Sequence, residues 1–160
     1  MGHDDGLVVT MASLQWPNDR WQPLDPADAR VEGVEAVVAR AGLAGDYTPV
    51  MSVRRTVLPA GASLELVADE AAQRFARQTG TAKRLEMTRT DQPGPGLSQL
   101  LGATAQVDGR SYDLRQLDGL LGAVQADGST AVLIVSAVCT ADQLPVVGPE
   151  FGSVLASVSA

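Results

Sequence analysis

The 160-residue chain is poor in the residues that most often carry chemistry: one cysteine, Cys139, one histidine, His3, and two each of tryptophan, tyrosine and phenylalanine. A single cysteine excludes an internal disulfide, and an unpaired thiol fits a reducing compartment, so the expected location is cytoplasmic. With His3 the sole imidazole, a Ser–His–Asp or Cys–His nucleophile finds no support. The stretch HDD at 3–5 lacks the supporting shell that a metal site requires and reads as part of a solvated, mobile tail over residues 1–6. Cys139 ends the most apolar run and reads as a small buried residue, because a reactive thiolate wants exposure and nearby positive charge.

Long apolar runs are missing too. None reaches the 18 residues of a membrane span, and MGHDDGLVVT has no basic region leading into an apolar stretch, so neither stable membrane insertion nor a secretion signal is expected. Positive charge is scarce: 12 Lys and Arg face 19 Asp and Glu, a formal charge of −7 with a pI of about 4.5. Such a surface repels phosphate backbones over a Debye length of about 8 Å at physiological salt, which removes nucleic acid as an expected partner. Arg74, Arg77, Lys83 and Arg84 fall around a predicted helix end and read as complements to its dipole. Asp69 and Glu70, adjacent on that helix, read as solvent-facing. GPGLSQLLG and VVGPEFGSV lack the companions of a phosphate loop or a nucleophile elbow and read as turns. No catalytic residue, metal site or cofactor is assigned.

What is present is regular structure in one domain spanning 1–160. GLVVTMASLQW reads as a first strand with Leu7, Val9 and Met11 on one face, stopping at Pro17. Pro17, Pro23 and Pro26 make Trp16–Ala29 a constrained loop. GVEAVVARAG (33–42) and PVMSVRRTVLP (49–59) read as an antiparallel hairpin. SLELVADEAAQRFARQTG is the clearest helix, with Ser63 at the cap, Glu65 in the first turn, Gly80 closing it, and Leu64, Ala68, Ala71 and Phe75 on one stripe. Four strand-like runs follow (82–90, 97–109, 110–125, 129–140), separated by Gly-, Pro- and Asp-rich turns and forming a meander with AVLIVSAV central. Phe151, Val154, Leu155 and Val158 define the buried face of a closing helix. The predicted fold is an α+β sandwich, a twisted, largely antiparallel sheet of about six to seven strands with two main helices.

The order of these stretches carries a resemblance. An early strand precedes WPNDRW; TPVMSVRRTVLPAGASLELVADEAAQRF leads into the first helix; LLGATAQVDGRSYDLRQLDGLLGAVQADGSTAVLIVSAVCTA then leads to FGSVLASV. In this the chain resembles the PsbP-like proteins, a group that also takes in the Mog-type, DcrB-related and actinobacterial LpqN/LpqT-like proteins. The resemblance implies the same α/β sandwich and a role in binding or assembly, and it supplies no catalytic residue. LpqN-type proteins begin with a lipoprotein signal and a lipidated cysteine, which this chain does not show, so a cytoplasmic DcrB-related adaptor is the closer analogue.

The functional expectation is therefore a non-catalytic adaptor or secretion-associated chaperone that holds a protein partner or apolar peptide segment on its sheet face or groove. The rival is a small-molecule or lipid carrier with a pocket between sheet and helix. Trp16, Trp21 and Leu24 are the candidate partner-binding residues. Trp16 is read first as closing an edge of the core. Trp21 is left open between that role and an exposed patch with Leu24. An enzyme would need a cleft such as Tyr112, Asp113 and Arg115, and strand alternation is expected to set Asp113 apart from the other two. An exposed edge strand would favour a homodimer.

Overall fold

The structure is a computed structural model and describes residues 14–25, 34–91 and 94–158. The elements run β1 (Trp21–Pro23), β2 (Ala36–Arg40), β3 (Val50–Leu58), α1 (Leu64–Thr79), β4 (Lys83–Thr90), β5 (Gly96–Val107), β6 (Arg110–Val124), β7 (Thr130–Thr140) and α2 (Leu144–Val158). The strands form one open antiparallel sheet in the order β1-β2-β3-β7-β6-β5-β4. The α+β class, the two helices, the β2–β3 hairpin, the meander and the central place of AVLIVSAV all agree with the sequence.

Of the strand expected over 6–16, residues 6–13 lie outside the described residues, and Leu14, Gln15 and Trp16 are not in a strand. The Trp16–Ala29 loop departs from expectation, because it contains β1. Trp21 pairs with Arg40 and Pro23 with Val38, and Ala41 N donates to Arg20 O at 2.8 Å. Pro23 is tolerated there because β1 is the edge strand among the described residues, where a missing amide donor deprives no described neighbour.

The chain path explains which face each helix covers. From β3 the chain must reach the far edge, β4, and α1 makes that crossing over β5 and β6. Val67, Ala68, Ala71 and Phe75 are its buried stripe, and the small residues let it approach the strands closely. Ser63 stands at the cap, but its hydroxyl makes no capping bond; Gly80 closes the helix at φ 93°, where its N–H donates to Ala76 O. Asp108 and Gly109, both at positive φ, form the two-residue hairpin between β5 and β6, the setting in which Asp-Gly is favoured.

α2 packs on the opposite face, over β6 and β7. Val147, Phe151, Val154 and Val158 join Met51, Val53, Leu133, Val135, Ala137 and Cys139 in the main apolar core. Leu155, expected on the same stripe, packs against this core partly buried and meets Gly119. A β-carbon there would stand 2.5 Å from its Cδ2, so glycine makes the close approach possible.

Candidate functional site

The face under α1 is built differently from the face under α2. On β6, Leu114, Gln116, Asp118 and Leu120 all point toward α1, so two polar residues stand where alternation places interior ones. Strand register puts Ser52, Ser136, Asp118 and Gln99 side by side across β3, β7, β6 and β5. A polar row thus crosses the middle of the sheet, with apolar residues on either side of it.

Asp118 is fully buried at the centre of this row. Its carboxylate accepts from Ser136 Oγ at 2.6 Å, Gln99 Nε2 at 2.9 Å and Gln116 Nε2 at 3.0 Å. Burial pushes the carboxyl above its ordinary range, while these three donors and the charge of Arg74 pull the other way. Gln99 also donates to Ala68 O at 3.0 Å and accepts from Arg84 Nε at 2.9 Å, and Arg84 Nη2 reaches Asp69 at 2.7 Å. The row therefore ties α1 to the sheet.

Because α1 lies over β5 and β6, the β3 and β7 part of this face is only partly roofed. The gap is a groove of about 340 Å³. Ser52, Ser136, Val138 and Gln116 form its floor, and Ala71, Arg74, Phe75 and Gln78 on α1 form one wall. Arg54 of β3 lines it as well. Burial lowers the Arg54 pKa, the nearby Arg74 charge lowers it further, and Asp118 opposes both. At one end Tyr47 meets Tyr112 edge to face at 5.4 Å, and burial pushes the Tyr47 phenol up to about 12.

The residues singled out from the sequence lie elsewhere. Trp21 is 4 % exposed and donates from Nε1 to Glu150 Oε1 at 2.8 Å. Arg40, its strand partner, grips the same carboxylate with Nε at 2.8 Å and Nη2 at 2.9 Å, which holds Glu150 below its ordinary pKa. Trp16 is half-buried against the α2-side core. Both indoles thus serve that core, and of the three candidate partner-binding residues Leu24 alone is exposed, at 37 %. Cys139 is buried, and burial raises its thiol to about 11. His3 lies outside the described residues.

Three expectations are corrected. GPGLSQLLG and VVGPEFGSV, read as turns, fall largely in β5 and wholly in α2. Asp113 and Arg115 are two residues apart, so they share a face and pair at 2.5 Å, while Tyr112 packs on the other side. Among the basic residues near the end of α1, only Arg77 lies in the last turn; Arg84 is spent on Asp69 and Gln99, and Arg74 faces the groove. A pocket between sheet and helix was among the expectations, but none of the residues that line it was singled out for it. Its signal lay in Gln116 and Asp118, set in phase with Leu114 and Leu120.

Among the described residues, no helix is long and apolar enough to cross a membrane and no cluster of three or more His, Cys, Asp or Glu could hold a metal ion. No protein-family model matches the chain, and no curated protein matches it. A solved structure of START superfamily protein from Mycobacterium smegmatis aligns over 68 % of this chain and 91 % of its own, at 12 % identity and a TM-score of 0.24, too poor a superposition to bear on the fold. The structure of LpqN, described as involved in cell envelope biogenesis of Mycobacterium tuberculosis, aligns over 88 % of this chain and 78 % of its own, at 14 % identity and a TM-score of 0.56. The chain shares the LpqN-like fold, as one branch of the resemblance implied.

Proposed function

We propose that this protein is a non-catalytic binding protein that carries a small amphipathic molecule in the groove between α1 and the sheet. The observation that carries this reading is the half-roofed face itself. It offers about 340 Å³ with apolar residues such as Phe75, Leu114 and Val138 set beside convergent polar groups, at the small end of the roughly 300–1,000 Å³ typical of ligand sites. The groove favours the carrier over the adaptor because both tryptophans are engaged in the other core, which removes the aromatic anchors a partner surface would use.

The adaptor reading retains one specific support. β4 is an eight-residue edge strand with every residue exposed, including Leu85 and Met87, and its free edge would accept an extended segment by strand addition. Native mass spectrometry of gently purified protein separates the two. The carrier reading expects a retained adduct of one small molecule per chain, lost in Ser52→Phe, which projects a ring from the groove floor, while thermal unfolding remains cooperative. Retention of the adduct by Ser52→Phe, or a protein partner with no small adduct, would overturn it.

A further inference from the structure

Resting on the groove as a ligand site, we infer that its occupant is a single-chain amphiphile with an anionic headgroup, a carboxylate or a phosphate, bound at Arg74 and Arg54. Charge is the starting point. The molecule as a whole carries −7, yet this groove is lined by two guanidinium groups and by no carboxylate, and Asp118, whose charge acts on both, is sealed beneath the floor.

Asp118 does not consume Arg74. Its oxygens already accept from Ser136, Gln99 and Gln116, so its lone pairs are satisfied by neutral donors within the sheet. Arg74 is half-buried on the groove wall, and among the described residues it makes no hydrogen bond or salt bridge. By contrast, Arg40, Arg55, Arg84, Arg89, Arg110 and Arg115 each hold a carboxylate. A guanidinium offers five donors in a planar fork that fits carboxylate or phosphate oxygens, and removing it partly from water without an anion is unfavourable. Arg54 adds a second cation from β3, on the side of the groove opposite α1.

The remaining lining sets the rest of the ligand. Phe75, Val138, Leu114 and Val50 give an apolar track, and the volume suits one chain rather than two. Ser52 and Gln116 lie along the floor as neutral hydrogen-bonding groups beside the head.

The test is calorimetric titration of the delipidated whole chain, below micelle-forming concentrations, with decanoate, decyl phosphate, decanol and decyltrimethylammonium. The expected result is that one or both anions bind at least about tenfold tighter than the alcohol, as a charge-assisted hydrogen bond provides, and that the cation binds worst. Whichever anion binds more tightly assigns the headgroup. Arg74→Gln should remove about tenfold of the anion's affinity and leave the alcohol's unchanged, and Arg74→Lys should restore part of it. Inorganic phosphate alone should bind far more weakly than decyl phosphate. Equal affinity for anion and alcohol, or an Arg74→Gln variant that weakens both equally, would overturn the anionic assignment while leaving the carrier reading intact. Binding of none of the four would overturn both.

Discussion

The two faces of one sheet solve opposite problems. The α2 face is dry: Met51, Val53, Val135, Ala137 and Cys139 meet Val147, Phe151 and Val154 with no polar side chain among them, and the Trp21–Glu150–Arg40 cluster closes its rim. The α1 face divides its apolar surface with a polar row and leaves a corner unroofed. A face made only of close-packed hydrocarbon has no room to bind anything; a face that satisfies buried polar groups internally can hold an open groove beside them. Stability is concentrated on one side and binding on the other.

The comparison can be broken most forcefully on the dry side. Phe151→Ala should cost about 3–5 kcal/mol in denaturant unfolding, the range for emptying a buried aromatic site. Ser52→Phe, on the groove side, should cost far less, because the added ring enters existing space. Comparable losses in the two variants would show that both faces are packed alike.

Next in size is the rim. Glu150→Gln should cost about 1–3 kcal/mol by leaving Arg40, 7 % exposed, without its charge partner. The pH dependence sharpens it. Arg40 holds the Glu150 carboxylate below its ordinary pKa, so its contribution is fully present above the ordinary value and is lost as pH falls through the lower folded value. Glu150→Gln should flatten that acid limb.

Asp118 should give the smallest effect and the opposite sign. Burial is the first cause of its shift and raises its pKa, with Ser136, Gln99, Gln116 and Arg74 opposing. The native state then holds the proton longer than the unfolded chain, so stability declines as pH rises from the ordinary carboxylate value to the raised one. Asp118→Asn should be within about 1 kcal/mol of the parent in acid, where both groups are neutral, and should gain on it as pH rises through that window. Thermal unfolding across mildly acidic pH reads both limbs; parallel profiles for Asp118→Asn and the parent would show that the row's donors cancel the effect of burial, and a parent that gains on the variant as pH rises would show that they outweigh it.

Most of the scaffold was legible because it is local. The turns at Asp108–Gly109 and before Gly128, the stripe on α1 and the alternation on β7 each lie within a few neighbouring residues. β1 was not legible: its strand state depends on pairing with β2, across a proline-containing segment where propensity points to a loop. Trp21 could not be decided for the same reason, since Glu150 arrives from α2, 129 residues later in the chain. The groove is a still longer-range property. It exists because α1 must cross to β4 and cannot roof every strand, a fact of topology that no window of sequence contains.

The polar row has one more consequence, for how the strands find their places. A slip of one residue would turn an entire strand inside out and is penalised by every side chain in it. A slip of two keeps the apolar residues on the correct face, so hydrophobicity alone scarcely opposes it. Ser52, Ser136, Asp118 and Gln99 do oppose it, because moving β6 by two would bring Asp118 opposite Val138 or Ile134 on β7 and strip the carboxylate of its donor there. Four polar side chains thus act as a key cut across the strands, admitting one alignment of the sheet.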